Sequence, residues 1–278
     1  MLVLLPPSET KNTAAPDAQV PDSVVISATL QTAKLEPTHR RVKRALVQLS
    51  KQPDSAAHKT LKLKPGKAAE QAFAANRQLT ARAHPAPLMP AILRYTGVVY
   101  DHLDFSSLSQ AAKKWVSDSV AIQSALYGLT PAAEPIANYR LSAGSVLPEL
   151  EGSLKRVWRE AHAQLNWPAV EFVLDLRSND YVALAPVPEN VTLVTIRVAQ
   201  RLAAGEIKAL NHFNKAAKGA LVRKLAETDA SFTTIAEFEQ WIRDKSGLEI
   251  KADGERAELD HSQHIYTLVT ELGAPQQK

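Results

Sequence analysis

Cysteine is absent from this chain of 278 residues, which excludes disulfide frameworks, cysteine-ligated zinc, iron–sulfur clusters and thiol catalysis. Glycine occurs only 10 times, so collagen-like and low-complexity classes are excluded as well. The chain has no apolar run of about 18 residues, the length that spans a bilayer. The apolar start at residues 1–5 stops at two prolines and is too short for a secretory signal. We therefore expect a cytoplasmic protein with no membrane partner.

Charge is distributed unevenly in a composition that is otherwise typical of a globular protein. Hydrophobic residues make up 45% of the chain and charged residues 22%, which argues against disorder. Eleven Lys or Arg and only two acids lie between His39 and Arg82, a formal charge of +9, and the remainder carries −5. The sequence thus places one basic segment, residues 39–82, in a chain that is weakly acidic elsewhere. A local basic surface is typical of nucleic-acid binding.

Apolar spacing predicts both helices and strands. Val42, Ala45, Leu46 and Leu49 follow the spacing of one helix face, which predicts a helix from His39 to Ser50. Similar patterns predict helices at 56–62, 67–79, from Asp104 or Ser106 to 117, from 148 to about 165, at 211–227 and at 233–245. Strands are expected at 2–5, 120–129, 171–176, 191–198 and 265–272, and surface loops at 12–38 and 130–148. Their irregular alternation predicts an α+β fold, a mixed sheet flanked by helices, in a single domain over residues 1–278.

The segment from Lys62 to Glu70 has the pattern of a helix–hairpin–helix element. Gly66 allows a close approach of the backbone to a phosphate, and the following helix would present its positive N-terminus. Lys62, Lys64 and Lys67 supply charge. Such hairpins usually carry two glycines and this one carries a single glycine, so a solvated basic loop is the competing interpretation.

Two further groups of residues could form a polar cleft. Residues 8–11 and 177–181 each follow a predicted strand, and ligands of open α/β sheets lie beyond the carboxyl ends of strands. Tyr139 and Arg140 could join them from the long loop; the alternative is a set of unrelated turns.

Lys215, Lys218 and Gly219 share one helix face. A glycine there indicates either a ligand close to the backbone or close packing of the helix against a sheet.

Motifs for metals, cofactors and known catalytic machinery are missing. The patterns at 101–104 and 261–264 offer His and Asp side chains without a matching third set of ligands. No phosphate-binding glycine loop, dinucleotide fingerprint, nucleophile elbow or zinc-protease motif occurs. We expect no cofactor and no metal, and the sequence assigns no catalytic residue.

Five stretches occur together in the order of a known family. They are residues 1–11 (MLVLLPPSETK), 95–105 (YTGVVYDHLDF), 125–144 (ALYGLTPAAEPIANYRLSAG), 178–181 (SNDY) and 215–223 (KAAKGALVR). The chain resembles the bacterial peroxide-stress protein YaaA family over nearly its whole length. One departure is Glu9, which stands where better-known members carry a lysine.

The resemblance implies a DNA-binding helix–hairpin–helix element, a positively charged cleft, and a role in lowering free iron and limiting DNA damage during peroxide stress. Carried over by position, the cleft residues are Lys11, Tyr139, Arg140, Asp180, Tyr181, Lys215, Lys218 and Arg223. The hairpin falls on residues 64–67. Together with the basic segment, it gives the expected DNA-binding residues Lys62, Lys64, Gly66, Lys67, Arg40, Lys43 and Arg44.

Two functions follow from these patterns. The first is a DNA-binding stress protein that contacts phosphates and prefers DNA structure over DNA sequence, because no recognition helix rich in Asn, Gln and Arg is evident. The second is an enzyme acting on a phosphorylated or nucleotide-like small molecule. In that case Lys11, Arg140, Lys215 and Lys218 would hold the phosphate, and Asp180 or Glu9 would act as general acid or base.

Overall fold

Apolar strands of the chain build one large mixed sheet. The computed structural model describes residues 1–14, 16–52, 54–80, 86–201, 207–209, 214–252 and 263–270. Its strands are β1 (Leu2–Leu5), β2 (Leu88–Pro90), β3 (Val120–Ser124), β4 (Gly128–Pro131), β5 (Pro135–Ala137), β6 (Phe172–Asp175), β7 (Thr192–Arg201), β8 (Ile207–Ala209), β9 (Glu249–Ala252) and β10 (Gln263–Thr270).

The sheet has a parallel centre and antiparallel edges. Its order is β4-β3-β1-β6-β7-β10-β9, and β8 pairs with the last residues of β7. Strands β3, β1, β6, β7 and β10 run parallel, whereas β4, β8 and β9 are antiparallel to their neighbours. β2 and β5 form a separate two-stranded ribbon. The chain adds β3 and β4 on one side of β1 and then adds β6 and β7 on the other side. The strand order therefore reverses at β1.

Eleven α-helices occur in the described part of the chain. They are α1 (Val25–Leu30), α2 (Glu36–Lys51), α3 (Ser55–Thr60), α4 (Lys67–Gln78), α5 (Ala91–Arg94), α6 (Val98–Leu103), α7 (Gln110–Ser119), α8 (Leu154–His162), α9 (Asn179–Val182), α10 (Asn214–Glu227) and α11 (Ile235–Trp241). The helices flank the sheet, and α2, α3 and α4 form the basic segment. The prediction of a mixed sheet with flanking helices is confirmed.

Several helix starts follow from side-chain caps. Asp54 accepts a hydrogen bond from Ala57 N (2.8 Å) at the start of α3, and Ser109 accepts one from Ala112 N (3.2 Å) at the start of α7. Ser153 does the same for α8. These caps satisfy first-turn amides that would otherwise have no partner.

Residues 12–38, expected as a surface loop, contain α1, a short 3-10 helix (Thr32–Leu35) and the start of α2. The expectation was wrong because Ile26, Leu30 and Leu35 form a short apolar face that packs into the core. The face is little more than one turn long, which is below the window in which periodicity is informative.

Three other predicted boundaries are corrected. The helix expected from Asp104 or Ser106 begins only at Gln110, because Asp104 takes a left-handed conformation that ends α6. The helix expected from residue 148 begins at Leu154. The strand expected at 120–129 is the hairpin of β3 and β4, and the expected loop at 130–148 includes the end of β4 and all of β5. Residues 211–213 of the predicted helix at 211–227 lie outside the described residues.

Buried apolar side chains form one contiguous cluster that extends from Leu2 to Leu268. The four residues of β1 are fully enclosed at its centre. Two of the four tryptophans, Trp158 and Trp167, are among its largest fully buried side chains. The single-domain organisation stays a prediction, which one continuous core supports.

Candidate functional site

The predicted hairpin is formed by α3, the turn at 61–66 and α4. Gly66 precedes α4 with φ +138°, and nothing lies within 4 Å of the position that a Cβ would take there. Lys64 and Lys67 are exposed on either side of it. No side chain caps α4. Ala69 N donates to Gly66 O (2.9 Å), so the first-turn amides left for an external acceptor are those of Lys67 and Ala68.

Lys62 belongs to the hairpin but turns away from its tip. Its backbone has a positive φ of 53°, and its Nζ lies against Gly144 of the 140–145 loop. Lys62 is exposed, so it places its charge at the junction between the hairpin and that loop.

A shallow groove of about 310 Å³ runs along α2 beside the hairpin helices. Arg40, Lys43, Arg44 and Lys51 line it together with Thr80. Arg40 also lies 3.7 Å from Glu36, one turn before it. Arg82, the last residue of the basic segment, lies outside the described residues. The structure therefore places the predicted basic side chains of α2 along one concave surface.

A larger cavity of about 610 Å³ lies at the carboxyl ends of β1 and β6. Its walls come from residues 6–10, 96–100, 176–179 with Tyr181, and from Asn214, Lys215 and Lys218 of α10. The strand order reverses at β1, and such switch points are where open α/β sheets bind ligands. The two predicted strand-end segments therefore do meet in one cavity.

Lys11 lies half-buried behind the first of these segments. Its Nζ donates a hydrogen bond to Ser8 O (3.0 Å) and lies 4.2 Å from the ring centre of Tyr139 and 5.3 Å from that of Tyr95. The pKa of Lys11 is lowered to about 7, chiefly by burial and to a smaller extent by Arg140 and Arg94, against an opposing effect of Glu9. Lys11 thus supports the wall of the cavity and is close to losing its charge at neutral pH.

A chain of buried hydroxyl groups lies beneath Lys11. Ser124 Oγ accepts hydrogen bonds from the amides of Leu126 and Tyr127, so its own proton is donated to Tyr139 Oη (2.7 Å). Tyr139 Oη lies 2.8 Å from Tyr95 Oη. Burial raises the pKa of Tyr95 to about 12 and also raises the pKa of Tyr139 well above its ordinary value. Tyr139 is therefore a neutral structural residue beneath the cavity.

Arg140 joins the cavity to the hairpin. Its guanidinium forms an ion pair with Glu9, and its Nε donates to Leu61 O (3.4 Å) in the hairpin. The side chain of Asn76 in α4 accepts from Arg140 N (2.8 Å) and donates to Arg140 O (3.1 Å). The glutamate that departs from the family pattern therefore neutralises a predicted cleft cation.

Lys215 and Lys218 reach the cavity from α10. Lys215 is exposed, whereas Lys218 is half-buried and donates a hydrogen bond to Leu176 O (3.0 Å). Desolvation lowers the pKa of Lys218, and the charge of Asp175 opposes this. Gly219 packs against α6, because an added Cβ would lie 2.2 Å from Val99 O. The glycine therefore serves close packing, against a helix and not against the expected sheet.

Three other predicted cleft residues differ in position. Tyr181 lines the cavity, and burial raises the pKa of its phenol. Asp180, its neighbour in α9, is exposed and is not among the lining residues. Arg223 lies elsewhere: it donates to Leu103 O (3.2 Å) and Ser107 Oγ (2.8 Å) and pairs with Glu227 at 2.8 Å. The structure thus shows Arg223 holding the end of α6.

Two buried polar groups hold the site together in a way that the sequence patterns did not predict, although Arg177 belongs to the predicted strand-end segment 177–181. Arg177 donates to both oxygens of Asp175 (2.9 and 2.6 Å) and to Ala185 O (2.8 Å), which fixes the end of β6. Asn76, fully buried in α4, fixes Arg140. A charged pair two residues apart after a strand was visible in the sequence, but the partners of Asn76 are 26 and 64 residues away.

Among the described residues, no group of three or more His, Asp or Glu could hold a metal ion. In the pattern at 101–104, His102 Nδ1 is 2.9 Å from Val98 O and Asp104 faces Arg223. His261 of the second pattern lies outside the described residues. No helix of the described ranges is long and apolar enough to cross a membrane.

Comparison with known proteins assigns the chain to a family. A family model described as "Peroxide stress protein YaaA" matches residues 1–253. The chain belongs to this YaaA family. A UPF0246 protein of Streptomyces coelicolor is 36% identical over 256 residues, covering 91% of this chain and 93% of that protein. A UPF0246 protein of Corynebacterium efficiens is 35% identical over 243 residues, covering 85% and 89%. The resemblance of the five stretches is thereby confirmed.

Proposed function

We propose that this YaaA-family protein binds DNA in the cytoplasm through the hairpin and the α2 groove, preferring DNA structure over sequence. The observation that carries the proposal is the uncapped N-terminus of α4 behind Gly66, between the exposed Lys64 and Lys67. The amides of Lys67 and Ala68, together with the two lysine side chains, suit a phosphate oxygen. Membership in a peroxide-stress family supports the further proposal that the protein limits free iron and oxidative damage to DNA.

The hairpin offers a direct test. The double variant Lys64→Glu/Lys67→Glu should weaken binding to duplex and junction DNA by at least about tenfold, because two phosphate contacts become repulsive. Both side chains are exposed, so stability should shift by less than ~0.5 kcal/mol per substitution. Fluorescence anisotropy at several salt concentrations measures the affinity, and circular dichroism checks the fold.

The matched control is Lys155→Glu/Arg159→Glu, two exposed residues on α8. Equal loss of binding in this control would assign the effect to net charge and refute a hairpin site.

In cells exposed to peroxide, the hairpin variant should show more DNA breaks and more chelatable iron than the wild type. Wild-type levels of both in a strain with the DNA-binding-deficient variant would refute the link to peroxide damage.

A second candidate function is favoured by the cavity of about 610 Å³ at the switch point. We infer that Lys215 and Lys218 hold the phosphate of a small molecule there, as in enzymes that act on phosphorylated or nucleotide-like substrates. Of the two carboxylates considered as acid or base, Glu9 lines the cavity and Asp180 does not. Incubation with nucleotides and sugar phosphates, followed by chromatography, tests this candidate; unchanged ligands would refute an enzymatic role.

A further inference from the structure

The cavity carries charges of both signs on separate segments of the chain. Lys215 and Lys218 contribute cations from α10, and Glu9 contributes an anion from the segment after β1. Asp175 and Arg177 form an ion pair at the end of β6 and neutralise each other. Glu9 is already paired with Arg140, so a ligand that contacts both the lysines and Glu9 would combine an anionic group with a group that donates a hydrogen bond to a carboxylate.

Glu9 is held in a way that leaves one acceptor open. Its Oε2 pairs with Arg140 Nη1, and Arg140 is itself fixed by Leu61 O and by Asn76. The other oxygen of Glu9 is left to accept a hydrogen bond, and the side chain is 51% exposed. A fixed carboxylate with a single open oxygen suits one amino group, such as the exocyclic amino group of a nucleic-acid base.

Tyr181 gives the cavity an aromatic wall. Tyr181 is one of the lining residues, and burial with the charge of Glu9 raises the pKa of its phenol, so the side chain stays neutral. Neutral tyrosine rings stack on nucleic-acid bases, and each such contact contributes substantially to binding. The volume of about 610 Å³ lies in the range of small-molecule sites and is too small for a DNA duplex.

We propose that this cavity binds a nucleoside monophosphate whose base carries an exocyclic amino group. Lys215 and Lys218 hold the phosphate, Tyr181 stacks on the base, and Glu9 accepts a hydrogen bond from the amino group. This inference rests on the second candidate function, since it names the ligand class of the same cavity. It is independent of DNA binding by the hairpin.

Paired nucleotides that differ at the amino group test the inference. Isothermal titration of the full chain at low salt should show CMP binding about tenfold more tightly than UMP, and GMP binding more tightly than IMP. UMP and IMP lack the exocyclic amino group that would donate a hydrogen bond to Glu9. Inorganic phosphate alone should bind more weakly than any of the four. Equal affinities within both pairs, or phosphate binding as tightly as CMP, would overturn the proposal.

Substitutions test the contact with the base and the contact with the phosphate separately. Glu9→Gln should reduce the CMP preference to within about twofold, since an amide can also donate to the uracil carbonyl. The exposed Glu189, outside the cavity lining, provides the matched control Glu189→Gln, which should keep the preference. Lys215→Gln should weaken CMP and UMP by the same factor, whereas Lys224→Gln on the same helix should change neither.

Each outcome bears on one proposal alone. A Glu9→Gln variant that keeps the full CMP preference overturns the assignment of Glu9. The absence of saturable binding by any nucleotide overturns the ligand class, whereas the second candidate function is tested separately by incubation with sugar phosphates. Binding of DNA by the hairpin is measured on the same preparations and fails or succeeds independently, because the Lys64→Glu/Lys67→Glu variant leaves the cavity residues in place.

Discussion

His162 illustrates how a single buried side chain couples stability to pH. Its Nδ1 donates to Trp158 O (2.7 Å) and its Nε2 accepts from Leu129 N (3.1 Å). This arrangement requires the neutral ring, because a protonated Nε2 cannot accept. Burial accordingly lowers the pKa of His162 from 6.5 to about 4.

The lowered pKa predicts acid sensitivity. Between pH 6.5 and about 4 the unfolded chain binds a proton at His162 that the folded protein does not bind. The free energy of unfolding should therefore fall as the pH falls through this window, by up to about 3 kcal/mol from this group. Urea denaturation at pH 7 and at pH 4.5 measures the change.

The variant His162→Gln isolates this contribution from those of the carboxylates. Its loss of stability between the two pH values should be smaller than that of the wild type. The control His102→Gln, at an exposed position of α6, should retain the wild-type dependence. Identical pH dependence in His162→Gln and wild type would contradict the assignment.

Among the helices, α4 is held in place in part by one buried amide side chain, that of Asn76. Asn76 connects α4 to Arg140 and, through its Nδ2, to Ser50 Oγ of α2 (3.1 Å). Asn76→Ala would leave the buried amide and carbonyl of Arg140 without these partners. We expect a loss of about 3 kcal/mol in the free energy of unfolding, because each unsatisfied buried polar group costs about 1–3 kcal/mol.

Hydrogen–deuterium exchange locates the effect of Asn76→Ala. Protection should fall first in α4 and at residues 140–145, while β1 and β6 remain protected. Gln78→Ala, an exposed position at the end of the same helix, serves as the control and should change exchange little. A uniform loss of protection over the whole sheet would instead indicate a general loss of stability.

Local patterns predict elements well and predict contacts between elements poorly. The helix of the basic segment was found because Val42, Ala45, Leu46 and Leu49 follow one helix face over about two turns, and the first three are buried. The cavity was anticipated because parallel strands end at the same edge, which brings residues 8–10 and 176–181 together.

Interactions between distant residues had no such signal. The pair of Glu9 and Arg140 joins side chains 131 positions apart, and the contact of Gly219 with Val99 depends on how two helices cross. Arg223 was placed in the cleft from its position in the family stretch, whereas its partners are Leu103 and Ser107. Side-chain direction follows tertiary packing, which a single sequence does not encode in a local pattern.

At the scale of the whole molecule, we expect the basic residues of α2 to extend the DNA interface of the hairpin, because α2 packs against α4. Arg40→Gln/Arg44→Gln should weaken DNA binding at low salt and reduce the log–log salt slope by up to about 1.8, since each phosphate contact contributes about 0.9. Both side chains are exposed and line the groove. The control Lys155→Gln/Arg159→Gln on α8 should leave the slope unchanged. An unchanged slope in the groove variant would exclude the groove from the DNA interface.

The close contact at Gly219 also fixes the aperture of the cavity. Val98 and Val99 line it from α6, and Lys215 and Lys218 line it from α10. With only a hydrogen at position 219, the two helices approach until backbone meets backbone. The absence of a side chain at residue 219 therefore keeps the distance between α6 and α10 short. A methyl group in its place would move the two walls apart, so relatives with a larger residue here should admit bulkier molecules.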